Sequence, residues 1–260
     1  MTGDLVLRER RDATIVLTLN RPDKLNALST PLLDGLDVAM DAAERDGDVG
    51  VVVLTGAGPK AFVAGADIAE YAALDQDAFD AYQLRSRRLF TRIDTFPKPV
   101  IGAINGYALG GGFEIALCCD VLIASEDARF GLPEGLLGLS PGGGGTQRLA
   151  RAVGIYVAAD VLLSAKRLTA EEARDLGLVA EVVASDRLMD AALAKAEAIA
   201  RIAPLAGRTM RDLVRIAADV DLETGLDREH AGLSALRSTA DAEEGIAAFV
   251  EKREPRFRGV

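Results

Sequence analysis

Residues 104–114 read Ile104-Asn105-Gly106-Tyr107-Ala108-Leu109-Gly110-Gly111-Gly112-Phe113-Glu114, and this stretch decides how the rest of the chain is read. Three glycines stand directly ahead of a helical pattern. With no side chains in the way, the backbone N–H groups there face whatever binds. The helix start adds partial positive potential, which suits a developing oxyanion. Glu114 follows Gly111 by three residues, so it projects from the first turn beside the same spot. Taken alone, the pattern is equally that of a glycine-rich helix start whose glutamate complements the dipole.

Working outward, Val100–Ile104 is a short apolar run that reads as a buried strand, preceded by the helix-stopping Pro97-Lys98-Pro99. Residues 14–20 and 49–55 read as further strands, with a helix from Ser29 to about Glu44 between them. A loop is expected over 56–65, then a short helix from Asp67 and a longer one over 77–93. On the other side, a loop is expected over 106–112 and helix over 113–119, then short strands at 121–124 and around Phe130. A helix is expected from about Thr146 to Gly154. Thr169-Ala170-Glu171-Glu172 has the capping-box pattern, residues 179–183 read as a last strand, and helices dominate from Asp186 onward. The chain thus reads as repeated strand–strand–helix or strand–helix units followed by helices.

Composition narrows the function. With 30 basic and 40 acidic residues among 260, the formal charge is −10, which argues against non-specific binding to nucleic acid or an anionic membrane. No apolar stretch approaches the roughly 18–20 residues needed to span a bilayer. The N-terminus does not have the layout of a secretory signal, so a cytoplasmic protein is expected. Cys118 and Cys119 are adjacent and the only histidine is His230, so no zinc-ligand pattern is present. His230 is not accompanied by a Gly-x-Ser-x-Gly nucleophile motif. Gly56-Ala57-Gly58-Pro59-Lys60-Ala61 superficially fits a dinucleotide fingerprint. Its loop, however, runs on through Phe62-Val63-Ala64-Gly65 instead of opening a helix, and Asp75 and Asp77 sit in a helical pattern and not at a strand end.

Three other segments carry possible chemistry. Ala64-Gly65-Ala66-Asp67-Ile68 places small residues just before a helix, with Asp67 able to cap it. Phe130-Gly131-Leu132-Pro133-Glu134 sets a carboxylate among apolar neighbours. Pro141-Gly142-Gly143-Gly144-Gly145-Thr146-Gln147-Arg148-Leu149 is placed either to close a cleft or to join two elements.

In this order, these segments closely resemble the crotonase, or enoyl-CoA hydratase/isomerase, superfamily. Asn20-Arg21-Pro22 with Asn26-Ala27-Leu28, and Phe249-Val250-Glu251-Lys252-Arg253 near the end, extend the likeness over nearly the whole chain. The resemblance implies an α/β fold, a crotonase-like spiral of repeated ββα units with a C-terminal helical oligomerisation region. Residues 1–201 would form the acyl-CoA-binding catalytic core, and 202–260 the helices that make trimer contacts. It implies that the N–H groups of Ala66 and Gly111 bind a thioester carbonyl and that Glu114 and Glu134 are the catalytic carboxylates. Ala64, Ala66, Asp67 and Ile68 would wrap coenzyme A through their backbone, with Lys24, Lys60 and Lys252 near its phosphates. Coenzyme A is then part of the substrate; no separate cofactor or metal is expected, and the assembly would be a homotrimer or a dimer of trimers.

The residues fit that chemistry. Adding water across a 2-enoyl thioester puts negative charge on the carbonyl oxygen, which two fixed amides stabilise. One carboxylate helps deprotonate the attacking water while an acid protonates the α-carbon. Glutamate at both 114 and 134 favours hydration over single-carboxylate isomerase or other lyase chemistry. A non-catalytic RNA-binding relative is the reading from a different class, and the acidic charge opposes it.

Overall fold

In the computed structural model, which describes residues 4–260, Val6–Arg11 (β1) and Thr14–Leu19 (β2) form an antiparallel pair. Residues 1–3 of the expected core over 1–201 lie outside the described residues. Thr30–Arg45 (α1) crosses over to Val51–Gly56 (β3), parallel to β2. From there the chain repeats one unit. β3 leads to Ala61–Val63 (β4), then Ile68–Tyr71 (α2) and Gln76–Asp94 (α3). Val100–Ile104 (β5) leads to Tyr107–Leu109 (β6) and Gly111–Ala116 (α4). Val121–Ser125 (β7) leads to Arg129–Gly131 (β8), then Gly145–Val153 (α5) and Ile155–Leu163 (α6). Leu168–Thr169 (β9), Ala170–Asp175 (α7) and Glu181–Val183 (β10) close the series. Leu188–Ala200 (α8), Pro204–Ile216 (α9), Leu222–Arg237 (α10) and Ala240–Glu251 (α11) follow.

The first strand of each unit joins a six-stranded sheet ordered β1-β2-β3-β5-β7-β10; the second joins a four-stranded sheet ordered β4-β6-β8-β9. This is the spiral of ββα units that the sequence led us to expect. The central strands are buried on both faces, as parallel strands are. Val51 and Val53 of β3 pack with Leu188, Ala192 and Ala196 of α8, while Val52 and Leu54 point into the main core with Phe62, Phe90 and Phe113.

Several expectations need correction. The loops expected at 56–65 and 106–112 each contain a strand, β4 and β6. Three residues are too few to show an alternation, and these strands exist through pairing with each other and with β8. β1 was not foreseen because it is an edge strand, Val-Leu-Arg-Glu-Arg-Arg, with only Val6 buried. α4 begins at Gly111, two residues earlier than expected, and stops at Ala116, short of Cys119. A helix does not simply end at Gly154: with φ 82° that glycine breaks the chain direction and α6 starts at once. The capping box is present as expected. The Glu172 N–H donates to Thr169 Oγ1 at 3.1 Å, and the Thr169 N–H donates to Glu172 Oε2 at 2.8 Å.

Two asparagines, Asn26 buried and Asn105 partly so, show why the signature segments matter to the fold. The Asn26 amide donates to the Ala57 and Ala61 carbonyls at 3.0 and 2.8 Å and accepts from the Arg21 N–H at 2.8 Å. The Asn105 amide donates to Gly56 and Gly58 carbonyls at 2.9 and 2.7 Å. Each ties a loop that has no ladder of its own to the β3–β4 connection, satisfying carbonyls that would otherwise be stranded.

Among the described residues, no helix is long and apolar enough to cross a membrane, and no group of His, Cys, Asp and Glu side chains is placed to hold a metal. α9, α10 and α11 leave Met210, Val214, Leu222, Leu226 and Phe249 exposed.

Candidate active site

The glycine run does what its position suggests. Gly110 adopts φ 52°, ψ −126°, a conformation that disfavours side chains, and so turns β6 directly into α4. A Cβ on Gly112 would overlap the carbonyl oxygen of Val63, so α4 can sit against β4 only with glycine there. A Cβ on Gly110 would lie 3.6 Å from Gly65 Cα and 3.1 Å from Glu134 Oε1, and one on Gly111 would lie 4.0 Å from Glu114 Oε2. Gly65, the Gly110–Gly111 peptide and both glutamates are therefore neighbours, although 69 residues separate the ends of that set in sequence.

The Ala66 and Gly111 N–H groups are both left over by the backbone ladder. Leu28 and Ala66 form a parallel bridge whose hydrogen bonds run from the Leu28 N–H to Gly65 O and from the Asp67 N–H to Leu28 O, each 2.8 Å. The N–H of Ala66 itself takes no part. Gly111 is the first residue of α4, where an N–H has no partner inside the helix. Leu28 backs both places: its main chain bridges Ala66, and its side chain would meet a Cβ on Gly111 at 2.8 Å.

The two glutamates differ. Glu114 is 4 % exposed, and its Oε1 accepts from the Gly143 and Gly145 N–H groups, both at 2.8 Å. Burial pushes its carboxyl up, while those amides and the Arg148 guanidinium pull it back down. Glu134 lies in a 3-10 turn, Pro133–Leu137, and its Oε2 is buried without a hydrogen-bond partner among the described residues. Burial first, and the nearby Glu114 charge second among the influences that push it up, raise its carboxyl to about 7. Tyr71, pushed up to about 12 by burial and by both glutamates, accepts a 2.8 Å hydrogen bond from Gln83 Nε2 close to the pair.

The remaining expected residues fall into two groups. Ala64, Ala66, Asp67 and Ile68 run along the β4–α2 connection. The Asp67 side chain is already engaged, capping α2 and pairing with Arg21 at 3.0 Å, and its N–H and carbonyl are bonded to the Leu28 carbonyl and the Tyr71 N–H. Lys24 and Lys60 are exposed and stand on adjoining loops, since a Cβ on Gly58 would lie 3.2 Å from Pro22. Lys252 sits in the C-terminal cap of α11, which packs against α10. His230 is an exposed residue of α10, and Cys118 is buried just beyond α4.

Sequence reasoning missed the partners of Glu114. The run Gly142–Gly145 was visible only as a cleft-closing or connecting segment; its amides in fact hold the carboxylate. Arg148, Asp94 and Arg215 behind that run had no signal of their own. Arg21 was legible as part of a signature, without its pairing to Asp67.

This arrangement can be set against known proteins. The family model described as enoyl-CoA hydratase/isomerase matches residues 9–260. The chain is 44% identical to the 2,3-dehydroadipyl-CoA hydratase of Escherichia coli K12, covering 100% of both chains, and 41% identical to the short-chain-enoyl-CoA hydratase of Clostridium acetobutylicum over 95% of each. The crystal structure of an enoyl-CoA hydratase from Bacillus anthracis superposes with a TM-score of 0.95 at 38% identity, covering 98% of this chain and 100% of that one. The ordered motifs, the ββα spiral and the full-length match agree: this chain belongs to the enoyl-CoA hydratase/isomerase family, the crotonase superfamily that its sequence resembles.

Proposed function

We propose that the protein catalyses reversible hydration of a 2-enoyl-CoA thioester to the 3-hydroxyacyl-CoA. The observation that carries this reading is the pair of dissimilar glutamates, Glu114 buried and Glu134 partly so, beside the Gly110–Gly111 peptide. Glu114 is pinned by two amides, and Glu134 is raised to about 7 with one oxygen unpartnered.

In the forward direction, the Ala66 and Gly111 N–H groups hold the thioester carbonyl oxygen and stabilise the enolate. Removing one comparable donor costs about 10²–10³ in rate. A water between the carboxylates gives its hydroxyl to the β-carbon, and the α-carbon receives one proton, so the elements of one water are added. Glu114, held by its Oε1, uses Oε2 to draw the proton from that water. Glu134, substantially protonated near neutrality, donates to the α-carbon. Lys24, Lys60 and Lys252 serve as anion partners for the coenzyme A phosphates, with residues 64–68 along its pantetheine and adenine. In this reading the enzyme works in the cytoplasm as a trimer or dimer of trimers. The apolar residues exposed on 202–260 are then covered by neighbouring subunits.

The test is loss of enoyl-thioester absorbance with crotonyl-, longer-chain and branched enoyl-CoA, using parent, Glu114→Gln and Glu134→Gln. Both variants should fold and bind coenzyme A thioesters yet lose most activity. Full activity in either removes that residue from the pair. Conversion of 3-enoyl-CoA to 2-enoyl-CoA without water addition would replace the hydratase reading with an isomerase one.

A further inference from the structure

Behind the amides that hold Glu114 runs a chain of ion pairs reaching into the C-terminal helices. The Gly143 carbonyl, on the residue whose N–H binds Glu114, accepts from Arg148 Nη1 at 2.8 Å. Arg148 Nη2 meets Asp94 Oδ2 at 3.1 Å, and the other oxygen of Asp94 pairs with Arg215 of α9. Arg215 also donates to Asp120 Oδ1 at 2.8 Å and to the Cys118 carbonyl at 3.0 Å. Arg211, one helical turn earlier and 9 % exposed, fixes α9 by donating to Asp120 at 2.7 Å and to the Asp94 carbonyl at 2.7 Å. A large open cleft between α9 and the 142–148 segment is lined by these same arginines.

We propose that Arg148 is a positioning residue which, through Asp94 and Arg215, makes the geometry and charge of Glu114 depend on the docking of α9. This rests on the reading of Glu114 as a catalytic carboxylate. Arg148 acts in two separable ways. Its bond to the Gly143 carbonyl sets the plane of the Gly143–Gly144 peptide, which lies between the two amides that grip Glu114, and its positive charge favours ionised Glu114. The other titratable groups facing Glu114 are Glu134 of the 3-10 turn, Tyr71 of α2 and Cys118 beyond α4. None is a cation, so Arg148 is the positive group on that side. Asp94 and Arg215 hold the guanidinium so that both actions are exerted together.

The experiment measures hydration kinetics against pH for the full-length protein and the variants Arg148→Gln, Arg148→Lys, Arg215→Gln, the double variant Arg148→Gln/Arg215→Gln, and Glu114→Gln as reference. Arg148→Gln should lower kcat by about 10–100-fold with KM changed by less than about threefold. The acid limb of kcat/KM should move up by on the order of half to one pH unit, because Glu114 then protonates more readily. Arg148→Lys keeps the charge but not the fork, so its acid limb should stay near the parent's while kcat remains low. Arg215→Gln should lower kcat severalfold, and the double variant should be no worse than Arg148→Gln alone, since both act along one chain. A parent-like limb in Arg148→Gln, or effects of the two arginines that multiply, overturns the proposal. If Arg148→Gln does not fold, Arg215→Gln still decides: parent-like kcat there refutes the coupling to α9. An active Glu114→Gln would instead fell the underlying reading of the site, whereas an inactive one with an unmoved Arg148→Gln profile fells only this inference.

Discussion

Glu134→Gln should make the protein more stable above neutral pH while abolishing its activity. In the fold this carboxyl is raised to about 7 by burial, helped by Glu114, from an ordinary value of 4.5. A carboxyl raised in the folded state gives stability that is fully present below the unfolded value and lost as pH rises through the folded one. Each pH unit of that interval corresponds to about 1.4 kcal/mol, for an upper bound near ~3 kcal/mol. The group is only partly withdrawn from water, so we expect about 1–2 kcal/mol. Glutamine has nearly the same shape and leaves one buried polar atom without a partner, as Glu134 Oε2 already is. That cost is therefore common to both proteins at every pH. The carboxyls away from the site titrate equally in the two proteins, so the difference isolates Glu134 together with its coupling to Glu114. Thermal melting of parent and variant at pH 4.5, 6, 7 and 8 should show a gap growing in the variant's favour by roughly 2–8 °C across the series. Parent hydration, in turn, should fall about tenfold per pH unit above about pH 7, as the acid form of Glu134 disappears. A melting difference that does not change with pH would refute the argument, because it would mean the carboxyl titrates in the fold as it does in the unfolded chain.

Other substitutions probe the scaffold. Gly112→Ala forces a Cβ onto the Val63 carbonyl and should cost more than the ~1–3 kcal/mol typical of overpacking, visible as loss of soluble protein or a melting temperature at least 5 °C lower. Arg21→Ala breaks the pair with Asp67 and the 2.8 Å bond to the Ala27 carbonyl. It should cost about 1–3 kcal/mol by denaturant titration and reduce kcat, because the loop carrying Ala66 loses its brace. Thr169→Ala removes the capping box of α7 and should cost about 0.5–2 kcal/mol while leaving kcat and KM at parent values.

What could be read in the sequence depended on how local the cause was. The strands β2, β3 and β5 and the helices α1 and α3 carry enough residues for their apolar patterns to show, and the glycines before Glu114 announce a close backbone approach. β4 and β6 are three residues each, and nothing within them distinguishes strand from loop; pairing across 45–46 residues in sequence creates them. The same limit applied at the site. Glu114 was legible because its own helix start explains it. Its anchors at Gly143 and Gly145 lie 29 and 31 residues away, and the Arg211 bond to the Asp94 carbonyl spans 117. Asn26 and Arg21 were legible as a pattern, but the carbonyls and the carboxylate that need them come from segments 31–46 residues further on.

The unequal treatment of the two glutamates is what the proposed chemistry requires. Both are pulled from water, and withdrawal alone would raise both and leave neither reliably ionised. The fold compensates them unequally. Glu114 gains two amide bonds and the field of Arg148, all of which favour its charged form, whereas Glu134 has its own backbone N–H and leaves Oε2 buried without a partner among the described residues. The charge that is favoured at Glu114 then opposes a second charge at Glu134. The pair thus tends toward one proton shared between two places, with the proton on Glu134 before water adds. In the proposed dehydration the same asymmetry would run backward: Glu134 would take the α-proton and protonated Glu114 would return its proton to the departing hydroxyl. One arrangement therefore serves hydration and dehydration without any rearrangement of the backbone donors.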